Sequence, residues 1–163
     1  MIEEVYVSFE TAKLLKEKGF REMCDCGYGI SVRHNGEEID EDEEYELKSE
    51  GKGNEIEYVD GGHLYRICCD NSFSDTLYAC PTQTRVMAWL RKEQNLFIEI
   101  QCYGCEADEK AHFEYSYVIS EYVQIDNKIC TTVGLEQKKA KSQFKTYEEA
   151  VEEAIQYCLT NLI

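Results

Sequence analysis

Proline is nearly missing from this chain: Pro81 is its single copy, as Trp89 is its single tryptophan. A proline-rich linker or recognition segment is thereby excluded. Bases are scarce as well, 17 against 33 acids, for a formal net charge of −16. Binding to a phosphate backbone or an anionic bilayer depends on cations that displace counterions, so direct nucleic-acid and membrane binding are not expected. No apolar run approaches the roughly 20 residues that span a bilayer. The opening Met1-Ile-Glu-Glu4 is acidic where a signal peptide would be basic, and a cytoplasmic location is expected.

What is present supports a real core: 43% of the 163 residues are hydrophobic, and twelve are tyrosine. The length fits one domain, residues 1–163. Twelve acids and three bases fall within residues 33–62, a net of −9 out of −16. That segment reads as an acidic loop or insertion, solvated because its charges repel and it buries little apolar area. Nine cysteines is a high, odd count. Without an export signal they are expected to be reduced thiols, several serving as small buried hydrophobes.

The organising stretch is 81–101. Thr82 is placed to cap a helix, and Pro81 stops earlier structure from running into it. Val86, Met87, Trp89 and Leu90 form an apolar face at helical spacing. After Asn95 the period changes to two, with Leu96, Ile98, Ile100 and Cys102 alternating against Phe97, Glu99 and Gln101.

Other elements follow in chain order. Val5–Val7 suggests a short strand, and Ser8 caps a helix over 9–18 that Gly19 ends in the left-handed conformation. Tyr28, Ile30 and Val32 alternate as a strand that stops at the Asn35-Gly36 turn signal. Strands near 55–59 and 63–69 are expected on either side of a turn at Asp60-Gly61-Gly62. Phe113, Tyr115, Tyr117 and Ile119 alternate, and short connections predict an antiparallel meander of 96–103, 112–124 and 128–134. Last comes a helix over 147–162, with a Thr146/Glu149 capping box and an apolar face from Tyr147 to Leu162. Glu148, Glu149, Glu152 and Glu153 are expected on its outer face. The fold class is therefore α+β: an antiparallel β-sheet meander with about three α-helices packed mainly on one face.

Chemistry-bearing motifs are sparse. Cys102-Tyr-Gly-Cys105 has Cys-x-x-Cys spacing, and Cys24/Cys26 and Cys68/Cys69 are further pairs. A zinc-stabilised module using Cys102 and Cys105 with a second pair is one alternative, although a zinc ribbon needs two such knuckles. A redox role needs the motif to open a helix, which this one does not. His34, His63 and His112 are scattered, and Ser8, Ser31, Ser72 and Ser74 lack a nucleophile elbow. The glycines at 51, 53, 61 and 62 spell no phosphate loop, and the acidic run lacks the framework of a calcium loop. No catalytic, cofactor-binding or metal residue is assigned, no cofactor is expected, and the chain is read as a non-enzyme. A second alternative is an acidic nucleic-acid mimic that inhibits a DNA-binding host protein, with eight acids crowded into residues 37–46.

Four pieces, taken in this order and spacing, form a resemblance: Ser8-Phe-Glu-Thr-Ala-Lys-Leu-Leu-Lys-Glu-Lys-Gly19, Pro81-Thr-Gln83, Trp89-Leu-Arg-Lys92 with Phe97-Ile-Glu-Ile100, and Thr146-Tyr-Glu-Glu-Ala150. Together they resemble a family of small uncharacterised proteins from prophage and mobile-element regions of Bacteroides-type gut bacteria. Residues 21–79 lie outside the match. The resemblance implies a cytoplasmic, phage-related origin and supplies no catalytic residues. The expected function is that of a non-enzymatic interaction protein that binds an unidentified host or phage protein, with self-association into a homo-oligomer left open. Trp89, Tyr103, Tyr115, Tyr117 and Tyr122 are the candidate aromatic anchors, core packing being the plainer role for each.

Overall fold

The computed structural model describes residues 4–66, 68–72, 77–107, 110–125, 128–132 and 144–163. They build an α+β fold with antiparallel strand pairing throughout. The chain divides into two compact units, one made of residues 1–18 with 81–163 and one of residues 19–80.

In the first unit, α1 (Phe9–Glu17), α3 (Gln83–Gln94) and α4 (Tyr147–Asn161) accompany strands β5 (Leu96–Ala107), β6 (Lys110–Ile125) and β7 (Lys128–Thr132). The strands form the expected meander, in the order β5-β6-β7. The predicted caps set the helix starts. Ser8, Thr82 and Thr146 each accept from the amide three residues on, satisfying a donor that the first turn leaves orphaned. Glu149 reaches back to the Lys145 amide at 3.1 Å, one residue earlier than a capping box requires. Asn95 ends α3 with φ 56°, turning the chain straight into β5.

Residues 5–7 form no strand of the sheet. They run beside the entry to α3 instead, with Val7 N–H donating to the Pro81 carbonyl and Gln83 N–H to that of Val5. The helices divide their work: α3 and α4 pack on the sheet, and α1 packs on α4. Ala150, Val151, Ala154, Ile155, Cys158 and Leu159 of α4 are buried with Leu15, Val86, Trp89, Leu90 and Leu96.

Cys158 lies deep in that core, and burial pushes its thiol up to about 12 from an ordinary 9.0. Folding thus favours the neutral thiol. Its contribution is whole below about pH 9 and is lost as pH rises toward 12. Across that window stability should fall by about 1.4 kcal/mol per pH unit from this group. Urea denaturation of Cys158→Ala should show a shallower alkaline slope, whatever its stability at neutral pH.

The second unit centres on β1 (Gly27–His34), which pairs with β2 (Glu37–Glu38), β3 (Ile56–Tyr65) and β4 (Leu77–Ala79). Asn35 and Gly36 both take positive φ, 54° and 85°, as the expected two-residue hairpin turn demands. Two expectations fail here. Asp60-Gly61-Gly62 is no turn, because β3 runs continuously from Ile56 to Tyr65. The pairing steps from Gly29↔His63 to Ser31↔Val59, so the glycines occupy an irregularity opposite Ile30.

Nor is the acidic run a loop: it supplies β2 and helix α2 (Glu41–Ser49). Asp40 caps α2 by accepting from Glu43 N–H at 2.9 Å. Gly51, at φ 78°, closes it with Gly51 N–H to Lys48 O and Lys52 N–H to Leu47 O. The acids cluster in the first turns, where the helix dipole offsets their repulsion, and Lys48 pairs with the buried Glu44 at 2.6 Å.

Candidate functional site

The β5–β6 hairpin joins the core to an exposed aromatic surface on one continuous sheet face. Its register places Ile98 opposite Ile119, Ile100 opposite Tyr117, Cys102 opposite Tyr115 and Gly104 opposite Phe113. Directly opposed residues share a face, so these four pairs form one stripe running outward along the hairpin.

Burial falls steadily along it. Ile119 and Tyr117 are buried, Tyr115 is half-buried, and Phe113 is 67% exposed. The reach of α4 explains the gradient. Tyr117 packs against Tyr157 and Phe144, with ring centroids 6.4 and 6.0 Å away. Tyr115 meets Tyr147, the first residue of α4, edge-on at 6.4 Å. Phe144 also pairs with Tyr115 through two backbone hydrogen bonds. Beyond Tyr147, itself 46% exposed, the stripe continues as Phe113 and Gly104.

Gly104 sharpens the exposure, since a Cβ built there would meet nothing within 4 Å. The residue opposite Phe113 therefore contributes no side chain, which leaves the ring uncovered from that strand. Loss of water contact first, then the neighbouring Cys102 thiol and Glu148, pushes the Tyr115 phenol above its ordinary value. What this surface offers a partner is aromatic area continuous with a rigid core, edged by two phenol groups and a thiol.

The proposed anchors separate accordingly. Trp89 and Tyr117 are buried and serve the core. Tyr103 is exposed on the opposite sheet face, its hydroxyl donating to Gln101, and Tyr115 is half-buried. The Tyr122 side chain lies outside the described residues. Phe113 and Tyr147 are, with Tyr103 on the other face, the most exposed aromatics among the described side chains of the first unit, whereas periodicity alone puts them in strand and helix cores. Periodicity reports a face and not how far the covering helix extends.

Cys102-Tyr-Gly-Cys105 sits inside β5, paired residue for residue with β6. A zinc knuckle needs a tight turn between its cysteines, and this segment has none. Cys24, Cys26, Cys68 and Cys69 belong to the other unit. His34 stands 3.2 Å from Glu55, while the side chains of His63 and His112 are outside the described residues. Among the described residues no three His, Cys, Asp or Glu are arranged to hold a metal ion.

Thiol access should follow this geometry. Cys68 and Cys102 are exposed, whereas Cys24, Cys26, Cys69, Cys80 and Cys158 are buried, and burial raises the pKa of Cys69 and Cys158. Brief alkylation of the native reduced chain should label Cys68 and Cys102 ahead of these five buried thiols, as peptide mass mapping would show. Dominant early labelling at Cys158 would contradict the packing described for α4.

A second surface lies in the unit of residues 19–80. A cleft of about 390 Å³ opens between the β1–β2 hairpin and α2, lined by His34, Glu37, Glu38, Glu43, Glu46 and Glu50 among others. Comparisons with protein-family models, curated proteins and solved structures find no match to this chain.

Proposed function

We propose that this chain is a non-enzymatic interaction protein that docks on another protein through the exposed end of the β5–β6 hairpin. The observation that carries the reading is Phe113, 67% exposed yet continuous with buried Tyr117 and Ile119 on one sheet face. A large aromatic left open beside a rigid core gains most of its burial energy on docking and loses little conformational entropy. At a net charge of −16, two copies repel, so the occupant that fits is a different protein with an apolar pocket in a basic surround. The resemblance to prophage and mobile-element proteins points to a host or phage protein as that partner, in the cytoplasm.

Two substitutions test the surface without disturbing the core. Phe113→Ser should weaken partner binding at least about tenfold while changing stability by less than about 0.5 kcal/mol. Gly104→Thr should leave the fold as stable or slightly more so, since the added Cβ meets open space and threonine suits a strand. It adds a side chain on the same sheet face, directly opposite Phe113, and should weaken the same binding by obstructing the partner. Unchanged affinity in both variants would remove the hairpin from the interface.

A second reading is favoured by the folding of the acidic run. Asp42, Glu43, Glu46 and Glu50 stand exposed on or just after α2, and Glu37 and Glu38 line the adjoining cleft. Acids held on a helix present a fixed anionic surface, as an acidic nucleic-acid mimic requires against a basic DNA-binding protein. Charge reversal of Glu43 and Glu46 to lysine should then abolish competition with DNA for that partner, and unaltered competition would sink this reading.

A further inference from the structure

The described part of the unit of residues 19–80 has a thin core. Among its described residues the buried hydrophobic side chains are Phe20, Cys24, Cys26, Ile56, Cys69, Ala79 and Cys80, and four of these seven are cysteine. A unit of this size buries only about 60% of the surface its unfolded chain exposes, and such units commonly rely on a metal or disulfide staple.

The backbone gathers these four cysteines. Cys24 and Cys69 face each other as an isolated antiparallel bridge and exchange both backbone hydrogen bonds, at 2.8 and 2.9 Å. Such a pair has Cα atoms about 5.5 Å apart. The β1–β4 register, Gly27↔Ala79, carried one residue further places Cys80 opposite Cys26, and Cys80 N–H donates to the Cys26 carbonyl at 2.9 Å. Cys24 and Cys26 are both buried with exposed Asp25 between them, so the two turn to the same interior side. The Cys69 thiol reaches the Cys26 carbonyl at 3.6 Å, which links the two pairs.

We infer that Cys24, Cys26, Cys69 and Cys80 are the ligands of one structural zinc ion that staples this unit. A tetrathiolate site has Zn–S bonds of about 2.3 Å and sulfurs about 3.8 Å apart, within reach of side chains on backbones spaced as these are. As the thiols stand they do not converge on one point, because Cys24 donates to the Glu22 carbonyl and Cys69 to that of Cys26. Rotation about χ1 exchanges weak sulfur hydrogen bonds such as these for metal–sulfur bonds and would bring the sulfurs inward. On binding, each thiol releases its proton and becomes a thiolate ligand, so four protons leave as one zinc enters. These four cysteines belong to the unit of residues 19–80 and the hairpin to the other, so the inference does not depend on the proposed docking.

The test uses the whole chain, reduced and freed of metal, titrated with cobalt(II) and then zinc(II) alone. One equivalent of cobalt should give the sulfur-to-metal charge-transfer band and strong ligand-field absorption of a tetrahedral tetrathiolate, bleached by one equivalent of zinc. Native mass spectra should then show one zinc on the wild type, on Cys102→Ser and on Cys105→Ser, and none on Cys26→Ser or Cys80→Ser. A wild-type chain with no tetrathiolate spectrum overturns the inference by itself, even where the serine variants fail to fold. So does zinc lost from Cys102→Ser, zinc kept by both Cys26→Ser and Cys80→Ser, or a reduced chain that loses two hydrogen atoms to a disulfide instead of taking up metal.

Discussion

Trp89→Ala is expected to lower the stability of the first unit by about 3–5 kcal/mol, the range for removing a large aromatic from a packed core. Trp89 is 6% exposed on α3, beside fully buried Val86 and Leu90, and α3 packs on both β5 and α4. Truncation to alanine leaves a cavity that three elements cannot all close upon. An aromatic standing on the surface as a docking anchor would lose less than about 0.5 kcal/mol on the same change. Denaturant titration followed by far-UV circular dichroism separates the two, and a loss below 1 kcal/mol would show that Trp89 is no part of the core.

Glu152→Ala should cost about 3 kcal/mol, a large effect for a residue that is neither apolar nor fully buried. Its carboxylate accepts from Ser8 N–H at 2.9 Å, from the Thr11 hydroxyl at 2.5 Å and from the Gln83 side-chain amide at 3.1 Å. Gln83 also donates to the Glu148 carbonyl, and Gln156 donates to Thr11 at 2.9 Å. One side chain of α4 thereby ties down the N-termini of α1 and α3. Thr11 and Gln83 are buried, so alanine at 152 strands their donors away from water. Glu152→Gln should cost less, about 1 kcal/mol, because its amide oxygen still accepts while its NH2 group opposes that of Gln83. Equal, negligible losses in both variants would show that the network adds nothing.

How much of this was legible depended on which physical signal a residue carries. Ser8, Thr82 and Thr146 were readable because capping is a local event that depends on a side chain and an amide three residues on. The β5–β6–β7 meander was readable because period-two alternation and short connections leave few pairings. The acidic run is not legible in this way, because composition registers repulsion among eight carboxylates but not its local remedies. Those are the Asp40 cap, the Gly51 C-terminal turn and the Glu44–Lys48 pair. Gly61-Gly62 is ambiguous for a related reason, since two glycines signal a turn and a strand irregularity equally well.

Helical periodicity puts Glu152 on an outer face, which holds for α4 and sheet but ignores α1 lying alongside. The hairpin surface failed on reach. Phe113 and Tyr117 carry the same signal in the sequence, but Phe144 and, from α4, Tyr157 pack on Tyr117, while Phe113 is left open.

The most direct test of docking through the hairpin is photo-crosslinking in cells. A benzophenone amino acid replaces Phe113, and a control carries it at exposed Thr160 on α4. Docking predicts a discrete heavier adduct from position 113, containing one other protein, absent from position 160 and suppressed by adding Gly104→Thr. Adducts only between copies of this chain, or equal yields from both positions, would contradict it.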